Sequence, residues 1–257
     1  MKYIDIHCHL NLPEFDLDYN DAILRAREKQ VGMIIVGTNY QTSLKAVKIA
    51  EENPDIWATI GLHPVEIPCE QFDYDQYLKL AQNPKVVGIG ECGFDYFRNG
   101  FESKNTQQGI FEQQISIANE VKKPLMLHLR NGMSAGQNAY RDAIEIIKNH
   151  SKVHGDAHFF VGNWEEGRSF IDLGFRLSFT GVITFVRDYD EIIKNAPMNM
   201  ILSETDSPYV SPVPYRGQRN EPVYVIEIVN SISRIKAQTT DDTARHLIDN
   251  ARNLFQI

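Results

Sequence analysis

The stretch "YIDIHCHL" occupies residues 3–10 and puts two histidines, two residues apart, behind a short apolar run. Side chains two apart on a strand share a face. His7 and His9 are therefore expected to look into one site, with Cys8 between them turned outward. Runs of the same kind, each long enough for a buried strand, recur along the chain at residues 33–37, 57–61, 86–91, 125–128, 157–160, 175–179 and 200–204. Between them lie stretches with apolar residues at helical spacing: 20–30, 43–52, 107–121, 138–149, 165–173 and 190–195, followed by 222–235 and 241–250. Thr239 with Asp242 three residues on predicts a capping box for the last helix. Strands alternating with helices of this size predict βαβ units and a parallel sheet. Eight such units in about 250 residues predict an α/β fold of the (β/α)8 TIM-barrel type. A doubly wound open sheet is the competing arrangement. No Gly/Ser linker, low-complexity tract or break in composition interrupts the pattern, so residues 1–257 are expected to form one domain. The irregular stretches 62–72, 93–105 and 207–218 each follow a strand, on the side where barrel enzymes keep their chemistry.

Hydrophobic residues make up 42% of the 257, enough for a sizeable core. No window is apolar enough to span a bilayer, and the N-terminus has no signal-peptide pattern. Cys8, Cys69 and Cys92 are an odd, scattered set without a CxxC, so no disulfide framework is expected. A cytoplasmic protein without a membrane contact or an obligate protein partner is the expectation. The formal net charge of −8 argues against broad nonspecific duplex binding, which needs a basic face. It leaves room for a nucleic acid gripped at one end by metals.

The strand ends carry the chemistry. His7 and His9 close the first strand. His63 follows the third in "GLHP". Glu91 closes the fourth, His128 and Arg130 the fifth. His158 lies in the sixth, and Glu204 and Asp206 close the eighth. Imidazole and carboxylate together are ligands for zinc, manganese and related divalent ions. Four of these histidines with two of the carboxylates already exceed one tetrahedral site and suit two ions about 3.5–4 Å apart. Any one of these residues alone reads as a satisfied core or rim group; the convergence at successive strand ends is what points to a cage. His150, His154 and His246 fall at helix ends or in surface loops and are expected to be solvated. Arg216, Arg219 and Lys104 on the long loops are equally well read as guides for a phosphate backbone or as solvated rim charge. Tyr96 and Phe97 are read as base-stacking rings or as lid packing, and Asp95 as a hydrogen-bonding partner in the same loop.

The segments "DIHCHL", "GLHP", "GIGECGFDY", "FEQQISIANEVKKPLMLHLR", "HFFVGN", "GFRLSFTG", "LSETDSPYVSP" and "RNEP" run in order over nearly the whole chain. Together they resemble the TatD-type metal-dependent deoxyribonucleases. The HxH start alone is shared with the wider amidohydrolase superfamily; the "ETDSPY…RNEP" segment is the more specific. The resemblance implies a TIM barrel, a divalent metal centre and hydrolysis of DNA phosphodiester bonds, often from a 3′ end. It implies His7, His9, Glu91, His128, His158 and Asp206 as metal ligands, with Glu91 bridging two ions such as Mg, Mn or Zn. Two positions depart from the pattern. The family's usual His-Cys-Phe reads His158-Phe159-Phe160, and its "GLHPH" ends here in Val65.

The expected mechanism uses a water whose pKa falls from 15.7 toward about 7 between the ions. Asp206 is the expected general base, and Glu91 is the second catalytic carboxylate. Arg130 is expected to fork onto a phosphate, His63 to donate to that phosphate or to the leaving oxygen, and Glu204 to orient a histidine ligand. The substrate expected is DNA, single-stranded or frayed at its end. Hydrolysis of a small ester, lactone, amide or aminoacyl-tRNA ester by the same cage is the alternative, and a non-enzymatic metal-bound scaffold a third.

Overall fold

Each of the eight predicted runs overlaps a strand in the computed structural model, which describes all 257 residues. The strands are β1 (Tyr3–Cys8), β2 (Val31–Val36), β3 (Ile56–Ile60), β4 (Val86–Asp95), β5 (Leu125–Arg130), β6 (Gly155–Ala157), β7 (Arg176–Phe179) and β8 (Ile201–Ser203). They form one sheet in sequential order, and every neighbouring pair is parallel. This is the (β/α)8 barrel, not the open sheet. The helices are α1 (Tyr19–Glu28), α2 (Tyr40–Glu51), α3 (Tyr74–Ala81), α4 (Lys104–Val121), α5 (Ala139–His150), α6 (Trp164–Asp172), α7 (Asp190–Asn195), α8 (Val225–Ile235) and α9 (Thr240–Phe255).

No ladder joins β8 to β1. The seam is closed instead by one isolated bridge, Cys8 to Ser207, and by bonds that cross it. Asp206 N–H donates to His7 O at 2.9 Å, and His9 N–H donates to Ser207 O at 2.8 Å. The buried Asp5 carboxylate accepts from the Thr205 amide at 2.8 Å and from its hydroxyl at 2.5 Å. Backbone polar groups left unpaired in a buried seam would each cost about 1–3 kcal/mol, so these contacts substitute for the missing ladder.

Two apolar layers divide the core. The large one lies between strands and helices and contains Tyr3, Cys8, Leu10, Met33, Leu127 and Leu177. The small one fills the barrel interior with Ile4, Ile6, Ile34, Val36, Val87, Met126 and Leu202, and Leu254 and Phe255 of α9 close it from below. In β1 the side-chain parity changes partway. Asp5 pairs with Met33 but Cys8 pairs with Ile35, so three residues of β1 match two of β2. Ile4 and Ile6 point in, and after this bulge Cys8 and Leu10 point out, which returns His7 and His9 to the interior. Strict alternation from Ile4 would have turned both histidines away from it.

Several elements differ from the sequence expectation. Helix α3 is an addition. Its start is capped by the Asp73 side chain, which accepts from Gln76 N–H at 3.1 Å, and it buries only Tyr77 and Ala81 fully. Eight residues with two buried positions leave little periodicity to read. Strand β6 covers Gly155–Ala157 rather than 157–160. Phe159 sits at φ 44°, a left-handed turn that ends the strand and leaves His158 just beyond it. At α9, Thr239 accepts from Asp242 N–H at 3.1 Å, but its hydroxyl donates to the Asp242 carboxylate at 2.7 Å, so half of the predicted box is formed.

Candidate metal centre

Strand β4 runs on through Glu91 to Asp95 instead of stopping at Glu91. Gly90 holds φ +148°, and a side chain there would run into the Met126 carbonyl of β5. A glycine therefore lets β4 pack against β5 at the level where Glu91 enters the barrel. His7, His9, His63, Glu91, His158 and Asp206 are all buried, and His128 nearly so. Asp206 has φ 55°, a left-handed conformation uncommon outside glycine and most tolerated by Asp and Asn.

Glu91 is the hub. Its Oε1 lies 2.7 Å from His128 Nδ1, 3.0 Å from His158 Nε2 and 3.3 Å from His63 Nε2. Its Oε2 lies 3.4 Å from His7 Nε2 and 3.8 Å from His9 Nε2. Asp206 Oδ1 approaches the same two nitrogens from the other side, at 3.7 and 3.4 Å. One carboxylate thus faces two separate sets of imidazoles, one with each oxygen.

The outer nitrogens decide which inner nitrogens can ligate. His9 Nδ1–H donates to Val36 O at 3.0 Å, which leaves a lone pair on Nε2. His128 is turned the other way. Its Nε2 faces Asp95 Oδ2 at 3.1 Å, and Nδ1 points inward. Asp95 is itself held by the amides of Phe97 and Arg98, at 3.0 and 2.7 Å. His158 Nδ1 stands 3.2 Å from Glu204 Oε1, off the angle of a good hydrogen bond. Glu204 also accepts from Phe159 N–H at 2.6 Å and from the Ser178 hydroxyl at 2.9 Å. A carboxylate or carbonyl behind a histidine is the usual way a ligand ring is fixed. His63 differs: its Nδ1 accepts from Val65 N–H at 3.0 Å. In the neutral ring the proton then sits on Nε2, so His63 presents a donor and not a lone pair.

The charges agree with this division. Burial and the nearby His128 hold His63 down to about 4, so it stays neutral at physiological pH. Burial and His158 lower His7. Burial alone would lower His9, His128 and His158, but the carboxylates around them outweigh it and raise all three. Burial pushes Glu91 and Asp206 upward, yet the surrounding imidazoles win and hold both carboxyls below the ordinary range.

The donor set fits a divalent cation. His7 Nε2 and His9 Nε2 are 3.1 Å apart. His7 Nδ1 is buried with no hydrogen-bond partner, and the Glu204 carboxylate stays 4.0 Å away. If the His7 proton sits on Nδ1, two lone pairs face each other at 3.1 Å. If it sits on Nε2, the Nδ1 lone pair is stranded. A shared cation removes the conflict. Two groups of converging donors meet this description, His7–Glu91–His158 and His7–His9–Asp206. Distance alone adds His63–Glu91–His128, but the Val65 amide has already taken the acceptor face of His63.

Outside the cage, Arg130 ends β5, and its guanidinium carbon lies over the Phe97 ring, 4.2 Å from the centroid. Tyr96 is buried and donates to Asp142 at 2.8 Å, so it is lid packing and not a stacking surface. Lys104 pairs with Asp142 and Arg219 with Asp18 and Glu221, which makes both rim ion pairs. His150, His154 and His246 are exposed, as expected. Asp95, expected in a loop, is the last residue of β4; its partner His128 is not visible from the sequence, nor are Val36 O and Val65 N–H. Backbone groups carry no residue-type signal.

Residues 4–256 match the family model described as TatD related DNase. An uncharacterized metal-dependent hydrolase, YabD, of Bacillus subtilis is 36% identical over 98% of both chains. The 3′-5′ ssDNA/RNA exonuclease TatD of Pantoea vagans is 31% identical over 98% of this chain and 99% of its own. Among solved structures, YJJV, a TatD homolog from Escherichia coli, superposes with a TM-score of 0.90 at 25% identity, covering 100% of this chain and 98% of that one.

Proposed function

This chain belongs to the TatD-related DNase family of metal-dependent hydrolases, and on that premise we propose that it is a 3′-5′ deoxyribonuclease using two divalent ions. The observation that carries the reading is Glu91, whose two oxygens face two separate sets of imidazoles. His7, His9, Glu91, His128, His158 and Asp206 would hold the ions. Bound there, divalent ions would supply Lewis acidity for the phosphate and an acidified water for attack.

The chain's own groups do the rest. Asp206 Oδ1 accepts the proton of the attacking water. His63, neutral and protonated on Nε2, donates to a phosphate oxygen or to the leaving oxygen. Arg130 has no carboxylate partner and keeps its planar fork for a phosphate. Asp95 and Glu204 fix the rings of His128 and His158 from behind. The nuclease name of the Pantoea relative supports a nucleic-acid substrate over a small ester, lactone or aminoacyl ester. No helix is long and apolar enough to cross a membrane. The three cysteines are all unpaired, which suits the reducing cytoplasm.

The test uses purified protein with 3′-labelled and 5′-labelled single-stranded DNA, a phosphodiester dye and a lactone, across Mg, Mn, Co and Zn. Chelator is expected to abolish DNA hydrolysis and added ion to restore it, with product ladders shortening from the 3′ end. Hydrolysis of the lactone but not of DNA would transfer the cage to the small-molecule class. Full activity in protein shown by elemental analysis to be metal-free would end the metal reading.

A further inference from the structure

Two arginines near the rim are neutralised by carboxylates. Arg219 pairs with Asp18 and Glu221, and Arg25 with Glu221. Arg130 and Arg216 are not. Each instead has its guanidinium carbon over a phenylalanine ring, Arg130 4.2 Å from the centroid of Phe97 and Arg216 4.1 Å from that of Phe185. The Arg216 guanidinium spends one donor on Ser211 O at 2.9 Å, which fixes its plane. The two rings stay half open, Phe97 50% exposed and Phe185 39%. Phe97 stands on the connection after β4 and Phe185 on the one after β7, so both pairs are on the mouth side of the barrel.

Stacking on a ring orients a guanidinium without cancelling its charge. Each pair therefore offers a flat π-surface and, along its edge, free N–H donors. A nucleotide is the complementary object, with one planar base and one anionic phosphate. In a chain of net charge −8, two cations held over aromatic rings and not by carboxylates point to an anionic ligand.

We infer that Arg130 on Phe97 and Arg216 on Phe185 are two nucleotide-receiving platforms that select strands with unpaired bases. The inference rests on the reading that the substrate is a nucleic acid. It adds the residues that discriminate a single strand from a duplex. In a duplex every base face except the outer one of the end pair is already stacked, so the two platforms cannot both be covered without unpairing the end. Tyr209, 48% exposed and edge-on to His9 at 6.3 Å, stands beside the cage and completes the aromatic lining of the mouth.

The test measures equilibrium binding by anisotropy to the metal-loaded full chain. The probe is a short 5′-labelled strand whose 3′ linkages are phosphorothioates that resist cleavage. It is offered single-stranded, as a blunt duplex, and with abasic residues at its 3′ end. Wild type is expected to bind the intact single strand about tenfold or more tighter than the other two, the worth of one or two stacked bases. Phe97→Leu and Phe185→Leu should each weaken intact-strand binding about fivefold or more, leave abasic binding unchanged and melt like wild type, since both rings are exposed. Arg216→Lys keeps the charge and should lose part of the preference. Equal wild-type binding of intact and abasic strands overturns the platforms, whatever the variants do, and so does wild-type affinity in both leucine variants. The nuclease reading fails separately, if wild type leaves an unmodified strand intact with every ion; the binding comparison then still decides the platforms.

Discussion

Glu91 is the only carboxylate that reaches all five inward imidazoles, and its charge is what keeps them together in a buried space. Glu91→Gln keeps the shape but replaces one oxygen with an amide nitrogen that has no lone pair to give. The variant is expected to fold, bind fewer ions by mass spectrometry and lose turnover by more than the roughly 10–100-fold that removing a ligand's supporting contact costs. Unchanged stoichiometry with near-normal turnover would remove Glu91 from the site. Asp95 acts one contact further out. Its Oδ2 faces His128 Nε2, and its Oδ1 holds the Phe97 and Arg98 amides. Asp95→Asn can preserve the amide contacts through its carbonyl but loses the charge behind the ring. Ion affinity, measured by competition with a calibrated chelator, should weaken about 10–100-fold with the melting temperature little changed. Unaltered affinity would confine Asp95 to holding the turn after β4.

Among the elements, α9 carries a role that its place at the end of the chain does not announce. Its last turn sends Leu254 and Phe255 under the barrel, where Phe255 approaches Gly88 of β4 and joins the interior layer. Phe255→Ala should cost about 3–5 kcal/mol in urea unfolding, since the floor of a closed barrel has little freedom to collapse into the gap. Ion stoichiometry at moderate temperature should stay at the wild-type value, because the cage hangs from the opposite ends of the strands. A loss below 1 kcal/mol would mean that the floor is closed without it. Strand β1 makes a related point. Its bulge, and not alternation alone, aims His7 and His9 inward.

Over the whole molecule, buried tyrosines set the alkaline limit. Tyr77 is buried, donates to Glu70 at 2.8 Å, and has its pKa raised by burial and by that carboxylate; burial raises Tyr140 as well. A tyrosine in the unfolded chain loses its proton near pH 10, whereas the folded one keeps it. The unfolded state then binds fewer protons, so stability present below pH 10 falls as pH rises above it. Melting temperature should drop steeply between about pH 10 and 11. Tyr77→Phe, less stable at neutral pH for want of the Glu70 bond, should close on wild type over that range. Parallel curves for the two proteins would assign the alkaline loss to other groups.

The strand–helix alternation and the barrel class are legible in the sequence, because each is a local matter, and so is the recurrence of histidines and carboxylates at strand ends, which the structure gathers around Glu91. A strand's period and a helix's spacing are written in neighbouring residues, and a closed parallel barrel brings all strand ends to one mouth. Pairings across the barrel are not local. That His128 turns its Nδ1 inward is decided by Asp95, 33 residues away in the chain. That His63 is a donor is decided by a backbone amide, and that Arg130 and Arg216 stay free while Arg219 does not is decided by where Asp18 and Glu221 come to lie. Helix α3 stayed hidden because two buried residues make no readable period. Side-chain type names what a group can do; only closure of the barrel determines which lone pair, proton or charge it meets.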